Sequence, residues 1–213
     1  MKIAFLGYGN MADALASKWS RKHDVFFGGR SAEKAAALAA KHGGGSGSAA
    51  EAAAFGDVII LATHNTAVFD IIEQAGGAAA FTGKVVVDIN NPISTETFLT
   101  TRTDGRSLTE AIADALPGAH VSKAFNMSQA RVWSREDMTW DGRPLVVGFT
   151  ADDGAAEVTA TLVSDTGAQP LLLGGNEFAY QLEAIAAVVI KQLFSGADAM
   201  TVMNLINPAD KPI

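Results

Sequence analysis

The sequence Ile-Ala-Phe-Leu-Gly-Tyr-Gly-Asn-Met-Ala at Ile3–Ala12 joins an apolar segment to a glycine-rich turn and then to a helical pattern. The spacing of Gly7, Gly9 and Ala12 on a strand-to-helix turn is typical of a dinucleotide-binding βαβ unit. Gly7 allows the tight turn, Gly9 lets the backbone approach a pyrophosphate, and Ala12 lets helix and strand pack closely. The N–H groups and the dipole at the start of the helix attract the phosphates. The predicted dinucleotide contacts of this turn are Gly7, Tyr8, Gly9, Asn10 and Met11.

The end of the second predicted strand favours NADP over NAD. A fold that prefers NAD usually carries Asp or Glu about 20 residues past the glycine turn, where it binds the ribose 2′-hydroxyl. Gly29 and Arg30 occupy that position here. Arg30 offers a planar fork of donors for a phosphate, Ser31 is a candidate helix N-cap, and Lys34 follows one turn later. Arg30 and Lys34 are alternatively solvated charges at a helix start, but the missing acid leads us to predict that Arg30, Ser31 and Lys34 bind NADP(H).

Length and composition narrow the function classes. The chain has 213 residues, 48% of them apolar, and a formal net charge of −7, which argues against a nucleic-acid role. It has no cysteine, so it provides no disulfide and no thiolate, and we predict no metal site. The N-terminus enters a predicted strand directly. The apolar stretch Ala184–Ile190 is shorter than the about 20 residues that a membrane span needs. We therefore expect a cytoplasmic protein that binds neither nucleic acid nor membrane.

The alternation of strand and helix patterns predicts an α/β fold, a Rossmann-type doubly wound parallel sheet with a small C-terminal α/β extension. We predict an NADP-binding domain at residues 1–149 and a small C-terminal domain, which completes the cleft for the second cofactor, at residues 150–213. The predicted strands lie at about residues 2–6, 24–28, 57–62, 84–89, 120–124, 144–149 and 170–173. The predicted helices lie at about residues 11–21, 31–42, 49–55, 66–75, 106–115, 152–166 and 176–195.

Two segments need a separate interpretation. Gly43–Ser48 has the sequence of a flexible linker, but Asp57–Ala62 resumes the same sheet soon after, so we predict a surface loop. The last helix, from about Asn176, lacks a clear polar face and is therefore predicted to be buried, in the core or against another subunit. Of these two, we favour a homodimer contact.

Four segments in order resemble one family. They are Gly7–Ala12, Gly29–Lys34, Asp88–Pro92 with Asn91-Pro92 at its end, and Lys123-Ala124-Phe125-Asn126. This ordered set is similar to NADPH-dependent coenzyme F420 reductases, the F420:NADP oxidoreductases, over nearly the whole chain. The same elements also resemble the soluble oxidoreductase domain of metalloreductases with six membrane helices, and the Gly-Asn-Met stretch resembles pyrroline-5-carboxylate reductases. The resemblance implies hydride transfer between NADP(H) and the deazaflavin coenzyme F420, with both rings stacked at the carboxyl ends of the strands.

Three loops after the third, fourth and fifth predicted strands supply the candidate ring contacts. His64 is the candidate catalytic proton donor. Alternatively, His64 is only a polar residue at the start of a helix whose N-cap is Asn65. Asn side chains suit a ring edge or a carboxamide, but Asn-Pro is also an ordinary turn signal. The resemblance implies contacts to both rings at the third loop, where Met127 replaces the family's usual Thr. The predicted residues are Thr63, His64 and Asn65, then Asn90, Asn91 and Pro92, then Phe125, Asn126 and Met127.

Two other functions remain open at this level. The first is an NADPH-dependent reductase of a flavin or of a small imine or carbonyl substrate; the second is a sensor that binds NADPH without turnover. The sequence shows no nucleophile elbow, no His-Glu-x-x-His motif and no obvious carboxylate pair. Hydride transfer between two cofactors mainly requires that their rings be aligned and close, whereas reduction of a carbonyl or imine usually needs a proton donor. The F420 reaction is therefore our leading prediction.

Overall fold

The computed structural model of the protein describes residues 1–140 and 142–196. Its strands are β1 Lys2–Leu6, β2 Asp24–Gly28, β3 Gly45–Gly47, β4 Val58–Leu61, β5 Val85–Asp88, β6 His120–Lys123, β7 Thr139–Trp140, β8 Arg143–Pro144, β9 Val146–Ala151 and β10 Gln169–Gly174. Its α-helices are α1 Asn10–Trp19, α2 Ala32–His42, α3 Ala49–Phe55, α4 Val68–Gln74, α5 Leu108–Ala115, α6 Ala130–Trp133, α7 Ala156–Asp165 and α8 Ala179–Phe194. Short 3-10 helices cover Asn65–Ala67, Ala78–Phe81 and Asn176–Phe178.

One eight-stranded sheet runs through the protein in the order β10-β9-β6-β5-β4-β1-β2-β3. The six strands from β3 to β6 are parallel, which confirms the Rossmann-type prediction, whereas β9 pairs antiparallel with β6. The strand order reverses between β1 and β4, the place where open α/β sheets bind ligands beyond the carboxyl ends of the strands. The predicted domain division after residue 149 falls inside β9, and β10 continues the same sheet.

The core lies on both faces of the sheet. Ile3 and Phe5 of β1 point into one buried cluster, and Ala4 and Leu6 point into the other. Successive side chains of a strand point to opposite faces, so a strand covered on both sides is a continuous apolar run rather than an alternating one. This explains why the short apolar runs of the sequence located the central strands to within two residues.

The prediction of a surface loop at Gly43–Ser48 was wrong, because Gly45–Gly47 forms the edge strand β3 and pairs in parallel with β2. A β-carbon on Gly44 would lie 2.4 Å from the carbonyl oxygen of Val25, and one on Gly45 would lie 2.6 Å from the Phe26 ring. The glycines therefore allow a close approach of two backbones, a role that composition alone cannot distinguish from flexibility. The prediction also missed the β7–β8 hairpin and helix α6.

The last helix begins later than predicted and is only partly covered within one chain. Asn176–Phe178 forms a 3-10 turn, and the regular helix starts at Ala179. Leu182 and Ala186 are buried against the sheet, whereas Val188 is 49% exposed. Throughout the described part of the chain, each helix is too short or too polar to cross a lipid bilayer. Residues 197–213, which belong to the predicted C-terminal domain, lie outside the described residues.

Candidate active site

The glycine turn has the geometry that its spacing predicts. Gly7 has φ +128°, and a β-carbon there would lie 2.2 Å from the carbonyl oxygen of Ala62, so a side chain would clash with the end of β4. Apart from Gly9 itself and the adjoining residues, no heavy atom of the described structure lies within 4 Å of the β-carbon position at Gly9. The space in front of this backbone is therefore open. Ala12, in the first turn of α1, is fully buried. The turn thus combines one position closed to side chains with one open to a ligand.

A cavity of about 270 Å³ lies beside this turn, and we call it the arginine cavity. It joins the glycine turn, the end of β2 and the loop after β4. Of the residues predicted for NADP, Gly7, Tyr8, Gly9, Arg30, Lys34, Thr63 and His64 line it, together with Gly29, Ala62 and Ile71. The structure therefore brings Arg30 and Lys34 to the same opening as the glycine turn, as a 2′-phosphate site requires.

Tyr8 connects the glycine turn to the end of β2. Its hydroxyl accepts a hydrogen bond from the N–H of Ser31 at 2.9 Å. A β-carbon on Gly29 would lie 2.7 Å from the tyrosine ring, so the ring packs closely on that glycine. Ser31 caps α2, as predicted, because its side chain accepts the N–H of Lys34 at 3.3 Å. Ser31 and Asn10 do not appear among the residues that line the arginine cavity.

A second cavity, of about 280 Å³, lies beyond the carboxyl ends of β4 and β5 and is called the central cavity here. It shares Thr63 and His64 with the arginine cavity. Among the predicted residues, Asn65, Asn90 and Asn91 also line it; the remaining lining residues are Ile89, Ile93, Ser94, Thr95, Phe98, Ile190 and Phe194. The shared residues make the two cavities neighbours along one edge of the sheet.

His64 is the N-cap of the 3-10 helix Asn65–Ala67, so the alternative that made Asn65 the cap was wrong. Its side chain is exposed, and Nδ1 lies 2.9 Å from Oγ1 of Thr66. Asn65 instead turns towards the neighbouring loop, where Nδ2 donates to the carbonyl oxygen of Asn91 at 2.7 Å. His64 therefore has a capping role and also faces two cavities.

A third cavity, again of about 280 Å³, lies between the loop after β6 and helix α8, and we call it the methionine cavity. It shares Ile89, Asn91 and Ile190 with the central cavity. The predicted residues Met11, Asn91, Phe125, Asn126 and Met127 line it, with Ile89, Ser128, Gln129, Ala130, Val189, Ile190 and Leu193. Three adjoining cavities thus follow the carboxyl edge of the parallel strands, where the fold is expected to bind ligands.

Asn91 and Asn126 bind each other across the boundary of these cavities. Nδ2 of Asn91 donates to the carbonyl oxygen of Asn126 at 2.8 Å, and Nδ2 of Asn126 donates to Oδ1 of Asn91 at 2.9 Å. Nδ2 of Asn126 also donates to the carbonyl oxygen of Leu182 in α8, at 3.2 Å. Within residues 1–140 and 142–196, the buried oxygens Oδ1 of Asn126 and Oδ1 of Asn65 have no hydrogen-bond partner. Buried polar atoms are rarely left unpaired, and both of these residues line the cleft.

Phe125 has φ 63°, in the left-handed region that bulky residues rarely adopt. Its ring is 1% exposed and packs edge-on against Trp19 and Trp133, with ring centroids 5.4 and 5.3 Å away. Strained backbone of this kind persists only where its surroundings fix it, and it is found preferentially at functional sites. The packing of Phe125 therefore holds Asn126 and Met127 in the cleft.

A buried ionic cluster lies beneath the Asn91–Asn126 pair, and sequence reasoning missed it. Nζ of Lys123 lies 2.7 Å from Oδ2 of Asp88 and 3.0 Å from Oε1 of Glu183, and it donates to the carbonyl oxygen of Asn90 at 2.8 Å. Glu183 also accepts the N–H of Leu108 at the start of α5, 75 residues away in sequence. Asp88 and Glu183 are not recognisable as neighbours in the sequence, because two helices and two strands bring them to Lys123 only in the folded chain.

Burial alone would lower the pKa of Lys123, but the charges of Asp88 and Glu183 raise it, so the ammonium stays protonated. Burial raises the pKa of Glu183 above its usual value, against the opposing effect of Lys123. Lys123 is a fully buried cation that connects β5, β6 and α8. The cluster cannot touch a ligand, but it fixes the loops that line the cleft.

The two other residues after β5 have supporting positions. The Asn90 side chain is buried and donates to the carbonyl oxygen of Leu61 and to Asp88, each at 2.9 Å. Pro92 is buried, and its carbonyl oxygen accepts the N–H of Thr101 at 2.7 Å. Pro92 does not appear among the residues that line the three cavities. The loop thus places Asn91 in the cleft and uses its neighbours as anchors.

Comparison with known proteins agrees with this geometry. Residues 2–92 match the family model described as NADP oxidoreductase, coenzyme F420-dependent. No curated protein matches the chain. A solved structure from Arthrobacter sp. FB24, named as a putative F420-dependent NADP-reductase, is 25% identical with a TM-score of 0.81, over 93% of this chain and 96% of that one. A hypothetical protein from Sinorhizobium meliloti is 26% identical with a TM-score of 0.72, over 82% and 85% of the two chains.

An imine reductase from Aspergillus terreus, solved with a bound NADPH compound, shares the fold at 19% identity and a TM-score of 0.69. The match covers 92% of this chain but 63% of that one. The resemblance inferred from the ordered motifs is confirmed by the family match and by the structures of similar length. The protein is an NADP-dependent oxidoreductase, and its residues 2–92 are similar to the family of coenzyme F420-dependent NADP oxidoreductases.

Proposed function

We propose that this protein transfers a hydride between NADP(H) and the deazaflavin coenzyme F420. The observation that carries the proposal is the row of three adjoining cavities, which offers a dinucleotide site and a further ring site on one sheet edge. The family match over residues 2–92 and the likeness to the Arthrobacter reductase support the choice of partner. Hydride transfer between two rings asks for closeness and alignment, which a shaped cleft supplies.

In this proposal the arginine cavity holds the adenosine end of NADP(H). Arg30 and Lys34 bind the 2′-phosphate, because they are exposed cations on the rim of a cavity that also contains the glycine turn. The open space in front of Gly9 admits the pyrophosphate, and the first N–H groups of α1 face it. Tyr8 keeps the two halves of this site together through its hydrogen bond with Ser31.

The nicotinamide then belongs in the central cavity and the deazaflavin in the methionine cavity. Thr63 and His64 line both the arginine cavity and the central cavity, so a dinucleotide passes from one to the other along them. Ile89, Asn91 and Ile190 line both the central and the methionine cavity, so two rings placed there meet along these side chains. When bound, NADPH supplies the hydride and the deazaflavin accepts it; the chain aligns the rings and excludes water.

A spectroscopic assay tests the proposed reaction. The protein is mixed with NADPH and, in separate samples, with oxidised F420, FMN or a cyclic imine, and the loss of absorbance of each acceptor is followed. We expect rapid turnover with F420. Rapid reduction of FMN or the imine with none of F420 would contradict the proposal, and tight NADPH binding without any turnover would favour the NADPH sensor.

A reductase of a small imine or carbonyl compound is the second candidate, and His64 is the observation that favours it. The exposed His64 ring lies at the junction of two cavities, where a proton donor would serve such a substrate. His64→Gln distinguishes the two reactions. Loss of imine turnover by more than about tenfold would support His64 as an acid, whereas hydride transfer to F420 is expected to change less than threefold.

We also propose that the protein is a cytoplasmic homodimer. The helix α8 carries exposed apolar side chains, and all of Leu171, Leu172 and Leu173 on the edge strand β10 are exposed in the single chain. Apolar surface of this kind is commonly covered by another subunit. Sedimentation of the full-length protein at micromolar concentration should give the mass of two chains, and a monomer at all concentrations would contradict the proposal.

A further inference from the structure

We propose that Oδ1 of Asn126 accepts a hydrogen bond from a ring N–H of the second substrate, so that the site selects rings that carry a lactam or imide N–H. This inference rests on the proposed function and goes beyond it by naming the group that is recognised. It concerns one atom: the buried side-chain oxygen of Asn126, a residue that lines the methionine cavity, which has no hydrogen-bond partner among the described residues.

The orientation of the Asn126 amide follows from its neighbours. Oxygen and nitrogen of an Asn side chain are assigned from the hydrogen-bond network. Nδ2 of Asn126 faces two acceptors, Oδ1 of Asn91 and the carbonyl oxygen of Leu182. A flipped amide would place its oxygen against both of them. Oδ1 of Asn91 is itself fixed as an acceptor, because Nδ2 of Asn91 donates to the carbonyl oxygen of Asn126.

Both donor hydrogens of Asn126 are therefore used, and only its acceptor is left. Asn126 is 6% exposed, and its Oδ1 is buried without a partner among the described residues. An unpaired buried acceptor lowers stability, and a ligand N–H recovers that cost on binding. The side chains around the oxygen must shift to admit a ring, and Met127 in the same wall is flexible enough to do so.

The free acceptor defines the chemical class of the substrate. The pyrimidinedione end of a deazaflavin or flavin carries an N–H between two carbonyl groups, and this N–H fits an amide oxygen. A ketone or aldehyde offers acceptors alone and leaves Oδ1 of Asn126 unpaired. Sites built to bind a polar hydrogen strongly reject analogues that lack it, since the buried partner then stays unsatisfied.

A binding experiment with two ligands tests the inference. The full-length protein is saturated with NADP⁺, so that no hydride can pass, and titrated with 5-deazariboflavin and with its N3-methyl derivative; quenching of the deazaflavin fluorescence gives each Kd. We expect the methylated ring to bind about tenfold to a hundredfold more weakly, because a methyl group replaces the N–H. Equal Kd values for the two rings would overturn the inference while leaving the proposed function intact.

Variants assign the effect to Asn126. In Asn126→Ala the two rings should bind with Kd values within threefold of each other, and an undiminished preference for the N–H ring would overturn the inference. Asn176→Ala is the matched control, because Asn176 also donates to a main-chain carbonyl, that of Val121 at 2.9 Å, and does not line the methionine cavity. It should keep the full preference. If neither ring binds the NADP⁺-loaded wild-type protein, the proposed function fails together with the inference.

Discussion

The two ends of the cleft are built in different ways. The arginine cavity is assembled mainly from the first βαβ unit, with the loop after β4 closing one side, and its cations Arg30 and Lys34 are exposed at the surface. The methionine cavity is assembled from distant segments, and it rests on the buried cluster of Lys123 and Glu183. In the proposed function, recognition of the nucleotide therefore depends on local backbone geometry and solvated charge, whereas the shape of the second site depends on long-range polar contacts in the core. Substitutions at the two ends should accordingly affect different properties.

Lys123→Met is expected to have the largest effect, on stability. It leaves Asp88 and Glu183 as buried carboxylates without their cation, and removal of one partner of a buried ion pair costs about 3–5 kcal/mol. Urea unfolding measures the loss. Lys22, whose side chain is 59% exposed in its pair with Asp165, provides the control, because Lys22→Met should cost only about 0.2–1 kcal/mol. A similar loss in both variants would contradict the contrast between the two ends.

Gly7→Ala should weaken NADPH binding about a hundredfold or more and also lower the melting temperature. Its φ of +128° and the 2.2 Å approach to Ala62 leave no room for a β-carbon, so the phosphate-binding turn has to move. Fluorescence titration with NADPH gives the affinity. Gly105→Ala is the control, since Gly105 also has a positive φ, of +74°, but no atom of the described structure within 4 Å of the β-carbon position. Unchanged NADPH affinity in Gly7→Ala would contradict this account of the turn.

Arg30→Ala should raise the Kd of NADPH about tenfold to a hundredfold and leave the Kd of NADH nearly unchanged, because a charge-assisted bond to a phosphate is worth about 1.5–3 kcal/mol. Isothermal titration with both nucleotides measures the difference. Arg21→Ala, at an exposed arginine paired with Glu136 elsewhere on the surface, should change neither value. Equal losses for NADPH and NADH would remove the basis for the NADP assignment.

The smallest expected effect is that of acidification on the stability contributed by Asp13, at the nucleotide end. Burial acts to raise the pKa of Asp13 in α1, but hydrogen bonds from Lys41 and His42 of α2 outweigh it and lower the pKa. A carboxyl whose folded pKa is lowered contributes stability above its unfolded pKa of about 3.9, and that contribution is lost as the pH falls through the folded value. Because Asp13 is partly exposed, Asp13→Asn should cost about 0.2–1 kcal/mol at pH 7 and little at pH 2. Urea unfolding of both proteins at the two pH values measures this, and an equal cost at both would refute it.

Much of the nucleotide end could be predicted from the sequence because its determinants are close together in the chain. Neighbouring residues set all three determinants. They are the glycine spacing, the N-cap at Ser31 and the absence of an acid at positions 29 and 30. The loops after the fourth and fifth predicted strands were also located, because parallel strands end at one edge of the sheet. Roles of the individual site residues stay predictions until the variants are measured.

The second end could be predicted only in part. Asn91 and Asn126 were named as candidates, but their mutual hydrogen bonds and the unpaired oxygen depend on the distance between two loops. Nothing near Glu183 in the sequence indicates that it reaches Lys123, since an acid on a helix usually faces solvent. The edge strand β3 was missed for a similar reason, because its glycines have a function only when β2 lies beside them.

The sequence alone determined the Rossmann-type fold and the glycine turn, and it predicts the preference for NADP, because strand periodicity, turn geometry and capping are set by residues that are neighbours in the chain. Only the tertiary structure decided which polar groups are buried together. The ion pairs of Lys123 with Asp88 and Glu183, the free acceptor on Asn126 and the division of the cleft into three cavities all require segments from distant parts of the chain to meet. Charge and hydrogen-bonding energies depend on distance and burial, and these are fixed only when the sheet and α8 come together.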